Sequence, residues 1–469
     1  MEIFCFLFLS LVNFFSEWVI NAADFLWNGP VLVSLLLGGG FILLIRSKFI
    51  PLLHFNHAFK LLKKKSNSSE GISSFESVSS HIGGIVGMGN ISGVAIAIIM
   101  GGPGAIFWMW VTAFFGMITK FYTCSLAVMY RDKKEGQFVG GPMYVISKGL
   151  GKNWKFLAYL FCFFGLLGVS PIFQSNQIVE IINSVFLKNN VLYINQFISD
   201  FIIGICISIV VSMVIFGGIK RIGRVASKLA PFMVILYMMV VFYIITDNYT
   251  KIIPTISLII TDAFYANSVL GGALGSLILI GARRASFSNE AGIGTAPIIH
   301  AASKTDNPIQ EGMVSMIGPF IDTIVVCTLT ALCILVSGTW ENNNYAGIAV
   351  VAQAFNDSLP MIGPYLLLVC TLSFAITTLF SLSFFGERCL AFLIGERYSF
   401  IYRYIYLVLI LVGSTSSLKF VISLIDLSYG IMAFPTMISV LILSSKIDKK
   451  SVKYFKKLMN TNNNKFLYL

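Results

Sequence analysis

The run Gly83-Gly84-Ile85-Val86-Gly87-Met88-Gly89-Asn90 sets four glycines and an asparagine inside a long apolar segment. A helix crossing a membrane there would have to be continuous, yet each interior glycine costs about 1 kcal/mol relative to alanine. If the helix unwinds, its N–H and C=O groups must be met by protein or by a solvated cavity. Such groups do non-covalent chemistry. The amides of Gly87 and Gly89, at the start of a half-helix, suit a carboxylate, and freed carbonyls suit an alkali cation. Asn90 adds an amide that both donates and accepts. The competing reading is that the glycines only let helices pack closely, as small-residue patterns do in lipid; the polar cost of Asn90 at that depth favours a site.

Thr377 and Thr378 are adjacent hydroxyls in the apolar stretch Ser373-Phe374-Ala375-Ile376-Thr377-Thr378. They offer hard oxygen ligands for a small cation, or they satisfy themselves on carbonyls one turn back. Gln174 and Asn176 form a second polar island, suited to ligand contact or to interhelical hydrogen bonds. Asp322 is expected to pair with Lys120 or to bind a cation, Lys120 alternatively reaching for the membrane surface. Glu290 reads as a helix-start acid. Asp426 lies near one end of the last apolar segment, and its role is not readable.

The elements that must hold these groups follow from composition. With 57% hydrophobic residues and 12% charged among 469, the chain has too much apolar surface for a water-soluble globule. Apolar windows of about 20 residues fall near 30–46, 78–101, 104–130, 155–180, 200–217, 229–246, 263–282, 312–337, 361–385, 403–416 and 418–444, giving eleven expected spans. The net charge of +12 sits in short alternate connections instead of one soluble face, so it marks topology and not nucleic acid. Lys60, Lys63 to Lys65, Arg131, Lys133, Lys220, Arg221, Arg283, Arg284, Lys304, Arg388, Arg397, Arg403 and the tail from Lys446 are assigned to the inner side. Lys188, Lys251 and Lys419 are the basic residues assigned outside. This orientation puts the N-terminus out and the C-terminus in the cytoplasm. Residues 345–355 suggest a loop helix over the outer mouth.

Enzyme chemistry finds no support. The four histidines lack H-E-x-x-H spacing, no Gly-x-Ser-x-Gly or P-loop occurs, and the eight cysteines are scattered. No organic cofactor is expected. A channel would also use glycine breaks and carbonyls, but channels favour symmetric rings of short subunits.

The segment Gly101-Gly102-Pro103-Gly104-Ala105-Ile106-Phe107-Trp108 resembles the signature of the alanine or glycine:cation symporter family, and further matches run through Gly140-Gly141-Pro142-Met143-Tyr144, 287–297, 318–323 and Gly386-Glu387-Arg388. The resemblance spans residues 25–445. It implies an all-α integral membrane protein with the 5+5 inverted-repeat fold of the bacterial leucine transporter plus one extra N-terminal helix. It implies Na⁺-coupled symport of alanine or glycine across a bacterial inner membrane, with H⁺ coupling as the alternative. The expected units are 1–77 (interfacial N-terminal segment, peripheral helix and basic cytoplasmic linker), 78–246 and 247–444 (the five-helix repeats) and 445–469 (basic cytoplasmic tail). Each repeat opens with a broken helix, the second break being expected near Gly271-Gly272-Ala273-Leu274-Gly275. Carried over by motif, the Na⁺ ligands are the backbone oxygens of Gly83 and Val86 and the hydroxyls of Thr377 and Thr378. The amino acid falls on Asn90 and Gln174, with the Gly87 and Gly89 amides at its carboxylate. Leu382 stands where the family has Trp, so one pocket wall is expected to differ. Partners are the amino acid, Na⁺ and lipid; oligomeric state is left open, a monomer being compatible.

Overall fold

A computed structural model describes residues 2–62, 72–134, 137–187, 195–264, 273–341 and 347–461. Apart from a two-stranded hairpin, β1 (Asp132–Lys134) with β2 (Gln137–Val139), and one isolated bridge between Ile72 and Ser303, the regular structure of the described residues is helical. Two helices at the N-terminus, α1 (Glu2–Asn28) and α2 (Pro30–Arg46), meet at a 54° bend. The expected interfacial segment before residue 30 is thus a helix joined to the expected first span. A broken pair follows, α3 (Ser74–Ile85) and α4 (Gly89–Gly101), bent by 52°. Then come α5 (Gly104–Tyr130), α6 (Lys152–Phe186), α7 (Gln196–Ile215) and α8 (Gly218–Asp247). The second half holds α9 (Ile252–Ala263), α10 (Ala273–Asn289), the short α11 (Ala296–His300), α12 (Pro308–Ser337), α13 (Ile348–Ser358), α14 (Gly363–Ile394), α15 (Ile401–Thr415) and α16 (Leu418–Thr461). Helix α13 is the expected loop helix, shifted a few residues along the chain.

Among the described residues, seven helices are long and apolar enough to cross a bilayer, and the bent pairs α1–α2 and α3–α4 each pass together. Helix α15 is shorter but apolar. Buried fractions sort these helices into a centre and a rim. In the apolar windows of α5 and α7, 83% and 22% of residues are buried. The α7 surface shows Phe201, Ile205, Ile209 and Met213 outward, which is the pattern of a helix facing hydrocarbon.

Local chemistry fixes where the broken helices begin. Ser73 caps α3 reciprocally, its Oγ accepting from the Glu76 N–H at 3.1 Å while its own N–H donates to Glu76 Oε2 at 2.8 Å. The residue before this cap, Ile72, pairs with the chain beyond α11: its N–H donates to the Ala302 carbonyl and its carbonyl accepts from Lys304 N–H. Arg131, just before β1, donates to the Ala301 and Ser303 carbonyls. The start of α3 is therefore tied to the end of α11 at the face rich in Lys and Arg.

Candidate functional site

Helix α3 stops where the sequence predicts. Val86 is extended (ψ 92°), its N–H still bonded to the Ile82 carbonyl, and α4 restarts in a widened π-helical turn over Gly89–Gly93. Such turns recur at functional sites. The second interruption lies elsewhere than expected. Gly271 and Gly272 fall outside the described residues, and Ala273 to Gly275 are already helical. The chain unwinds instead at 290–295, where Glu290, Gly292 and Gly294 have φ of +54°, +82° and +110°. Gly294 is held there with no room for a side chain, since a Cβ would come within 2.5 Å of Thr436 Oγ1. A window on hydropathy missed this break because Ser288-Asn289-Glu290 ends the apolar run and reads as a loop. The signal was present: Gly292-x-Gly294 repeats the Gly87-x-Gly89 spacing of the first break.

Between the two interruptions lies a cavity lined by Gly84, Gly87, Gly89, Gln174, Phe287, Glu290, Thr378 and Tyr429, with Ile85, Met88, Gly168 and Ile425 completing its wall. About 20 Å³ is open to the centre of a water molecule, room for about one water, so a larger guest requires the helices to part. Gln174 Oε1 is buried here with no partner, an acceptor left for something else. Glu290 accepts from Tyr429 Oη at 2.7 Å and from the Thr295 hydroxyl. It lies within an interruption and lines the cavity, instead of capping a helix start. Phe287 packs edge-on to Phe173, with ring centroids 4.9 Å apart, and closes the cavity.

Thr378 connects this cavity to α3. Its hydroxyl donates within 3.1 Å of the Gly83 carbonyl and 3.0 Å of the Phe374 carbonyl, so three oxygens from two helices converge beside the break. Thr377 differs. Its hydroxyl is spent on the Ser373 carbonyl at 2.7 Å, and its methyl faces Gly83. Val86 is fully buried and does not line the cavity.

Asn90, expected on the amino acid, is bonded to protein groups in this structure. Asn90 is fully buried, its Oδ1 accepting the Gly87 N–H at 2.9 Å and its Nδ2 donating to Asp322 Oδ1 at 2.7 Å and to the Asp322 carbonyl at 2.9 Å. Asp322 sits on a second π-helical turn, Phe320–Cys327, and also accepts from Ser288 and Thr323 hydroxyls at 2.8 Å. Asn90 is thus a brace between the first break and α12, and the Gly87 amide is already taken by it. Leu382, expected in a pocket wall, is buried in α14 and is not among the residues lining the cavity. Asp322 does not pair with Lys120, which is 1% exposed and donates to His81; Lys120 does not reach the surface either. Asn176 donates to the Gly413 and Ser416 carbonyls, the interhelical alternative.

Arg283 and Arg284 are not in a cytoplasmic loop. They are buried on α10, bonded to Asp426 of α16 at 2.8 and 2.5 Å, and Arg283 also meets Asp24 of α1 at 3.1 Å. Removing one partner of a buried ion pair costs about 3–5 kcal/mol. Asp426→Ala should therefore lower the melting temperature in detergent well beyond Asp426→Asn, which keeps an oxygen acceptor. An Asp426→Asn protein that melts with the unaltered one would show that the charge is not needed.

A many-helix membrane protein whose two interrupted helices enclose a small polar cavity is built as a carrier and not as an enzyme. The chain belongs to the sodium:alanine symporter family, whose sequence model matches residues 12–468. It is 38% identical over 452 residues to the sodium/alanine symporter AgcS of Methanococcus maripaludis, covering 94% of this chain and 96% of that protein. The amino-acid carrier protein AlsT of Bacillus subtilis is 32% identical over 448 residues, with 95% and 93% covered. Among solved structures, MhsT in complex with L-phenylalanine superposes with a TM-score of 0.56 at 15% identity, over 83% of this chain and 99% of that one. The fold is that of the leucine-transporter type.

Proposed function

We propose that this protein is a Na⁺-coupled symporter of a small neutral amino acid, alanine or glycine, working by alternating access. The observation that carries this reading is the convergence of Thr378 Oγ1 with the Gly83 and Phe374 carbonyls directly beside the cavity. Hard oxygens on a broken helix are what Na⁺ takes in such folds, and Val86 contributes a further carbonyl once α3 adjusts. The amino acid's carboxylate meets the backbone amides at the start of α4, where the first N–H groups have no helical partner. With Gly87 engaged by Asn90, these are the amides of Met88 and Gly89. Its ammonium faces Gln174 Oε1 and the Glu290 carboxylate. The small volume supports a small side chain.

Binding is cooperative because cation and substrate share one element: Na⁺ fixes α3 against α14, which sets the amides of α4, and the help is mutual. The repeats are taken as 78–246 and 247–444, rocking against one another around the fixed site. The Lys- and Arg-rich face is cytoplasmic by the positive-inside rule, in a bacterial inner membrane, where a negative interior assists entry of Na⁺ by about 2.3 kcal/mol per charge per 100 mV.

Labelled alanine should accumulate uphill in proteoliposomes under an imposed Na⁺ gradient, with choline replacing Na⁺ as control and glycine, L-alanine, D-alanine and serine as competitors. A solute that only equilibrates would mean a pore. Thr378→Ala should raise the Na⁺ concentration for half-activation about tenfold, the equivalent of one oxygen ligand at about 1.4 kcal/mol. Thr377→Ala, whose hydroxyl is spent within its own helix, should shift it less; equal shifts would remove Thr378 from its special place.

A further inference from the structure

Outside the cavity, four titratable side chains from four helices form an unbroken buried row. Lys120 Nζ of α5 lies 2.6 Å from His81 Nε2 of α3. His81 Nδ1 is 3.2 Å from His300 Nε2 of α11, and His300 Nδ1 is 2.7 Å from Glu311 Oε1 of α12. All four are at most 1% exposed. Ionisable groups so placed in a membrane protein are costly and mark ion or proton pathways.

The chemistry of the row fixes its hydrogens. An ammonium only donates, so His81 Nε2 must accept and its Nδ1 must carry the proton. That proton points at His300 Nε2, which accepts, so His300 Nδ1 carries its proton and donates it to the Glu311 carboxylate. Every donor and acceptor then runs in one direction from Lys120 to Glu311. The row is also built for. Gly318 of the following turn has no Cβ, and one placed there would meet His81 Cε1 at 2.7 Å and Nδ1 at 3.1 Å. Gly318 thus leaves the space that the His81 ring fills.

Both ends lead somewhere. At one end Glu311 Oε2 accepts from the Ser74 hydroxyl at 3.2 Å, in the half-buried first turn of α3 at the basic face; Ser77 Oγ lies 3.3 Å from His300 Nδ1. At the other end Lys120 sits one helical turn from Gly116, where a Cβ would touch Ala291 of the second interruption at 2.8 Å. The other charged or titratable groups acting on Lys120 are Glu290, Asp322 and Cys124. Those acting on His81 are Lys120 and His300.

We propose that Lys120, His81, His300 and Glu311 form a proton wire from the interrupted helices to the cytoplasmic face, so that the carrier moves a proton inward with each amino acid; this rests on the carrier function proposed above. In the transfer a Lys120 N–H bond breaks as one forms at His81 Nε2. The His81 Nδ1 proton passes to His300 Nε2, and the His300 Nδ1 proton to Glu311 Oε1. Lys120 and Glu311 end neutral, and both rings end in the other tautomer. Glu311 then releases its proton past Ser74 to cytoplasmic water. Lys120 takes a proton from water admitted when the cavity opens outward. Movement of α3, which carries His81, parts the row and lets the rings reset.

The test follows labelled alanine and lumenal pH together in proteoliposomes holding a trapped pH-sensitive dye, under a Na⁺ gradient. In the unaltered protein the lumen should acidify in step with alanine influx. His81→Gln, His300→Gln and Glu311→Gln, which keep hydrogen bonds but cannot relay, should each lower the proton-to-alanine flux ratio at least tenfold. Alanine uptake by the unaltered protein without acidification overturns the wire, as does an unchanged ratio in any properly inserted variant. Absence of alanine uptake in the unaltered protein overturns the carrier function itself, and the wire with it.

Discussion

Asp322→Ala should reduce amino-acid uptake by roughly 100-fold or more while the protein still inserts. The carboxylate accepts from Asn90, Ser288 and Thr323, and a buried donor left without its acceptor costs about 1–3 kcal/mol. Three such losses at about 1 kcal/mol each amount to roughly a factor of 100, at 1.4 kcal/mol per tenfold. Asn90→Ala should be comparably severe, because it frees the Gly87 N–H and strips Asp322 of its closest donor at 2.7 Å. The informative measurement is the double variant. Groups in one network do not lose energy twice, so Asn90→Ala with Asp322→Ala should transport about as poorly as the worse single change. Strictly multiplicative losses would mean that Asn90 touches the amino acid on its own account, as the sequence alone suggests, and not through Asp322.

Gly87→Ala is the second large effect. A Cβ at Gly87 would lie 2.5 Å from Thr378 Oγ1 and 3.5 Å from Thr378 Cβ, a contact with a short side chain that has no way to yield. The added methyl must push α14 from the first break, separating Thr378 from the Gly83 carbonyl. Uptake should fall by about 30-fold or more, with Na⁺ activation shifted to higher concentration, since overpacking costs about 1–3 kcal/mol. Gly275→Ala is the matched control. Nothing lies within 4 Å of a Cβ there, and alanine is the better helix former, so uptake should stay within about twofold. A severe Gly275→Ala defect would restore the expected break near 271–275 to the transport site.

The contrast between these two glycines shows what a sequence can and cannot reveal here. The first break was legible because glycines interrupt a segment whose apolar length demands a helix. Thr378 was legible as a hydroxyl at membrane depth, although only the fold separates it from Thr377. The second break was misplaced because its polar residues abut the end of a hydrophobic window and look like a connection. Arg283 and Arg284 were assigned to the cytoplasm because a rule that counts basic residues has no view of Asp426, which follows more than a hundred positions later. The same holds for His81 and His300, 219 residues apart. No local pattern announces that they touch, and histidines without metal spacing read as isolated.

Helices α1 and α2 are fastened to α16 at two levels. Trp27 Nε1 donates to the Asp426 carbonyl at 2.8 Å and Asp24 holds Arg283, while Arg46 reaches Asp448 at 3.2 Å. Tyr122 of α5 bonds to the same Asp448. The N-terminal pair is therefore a splint. It stiffens one wall of the molecule from rim to rim, so that bending is left to helices such as α3 that lie away from it.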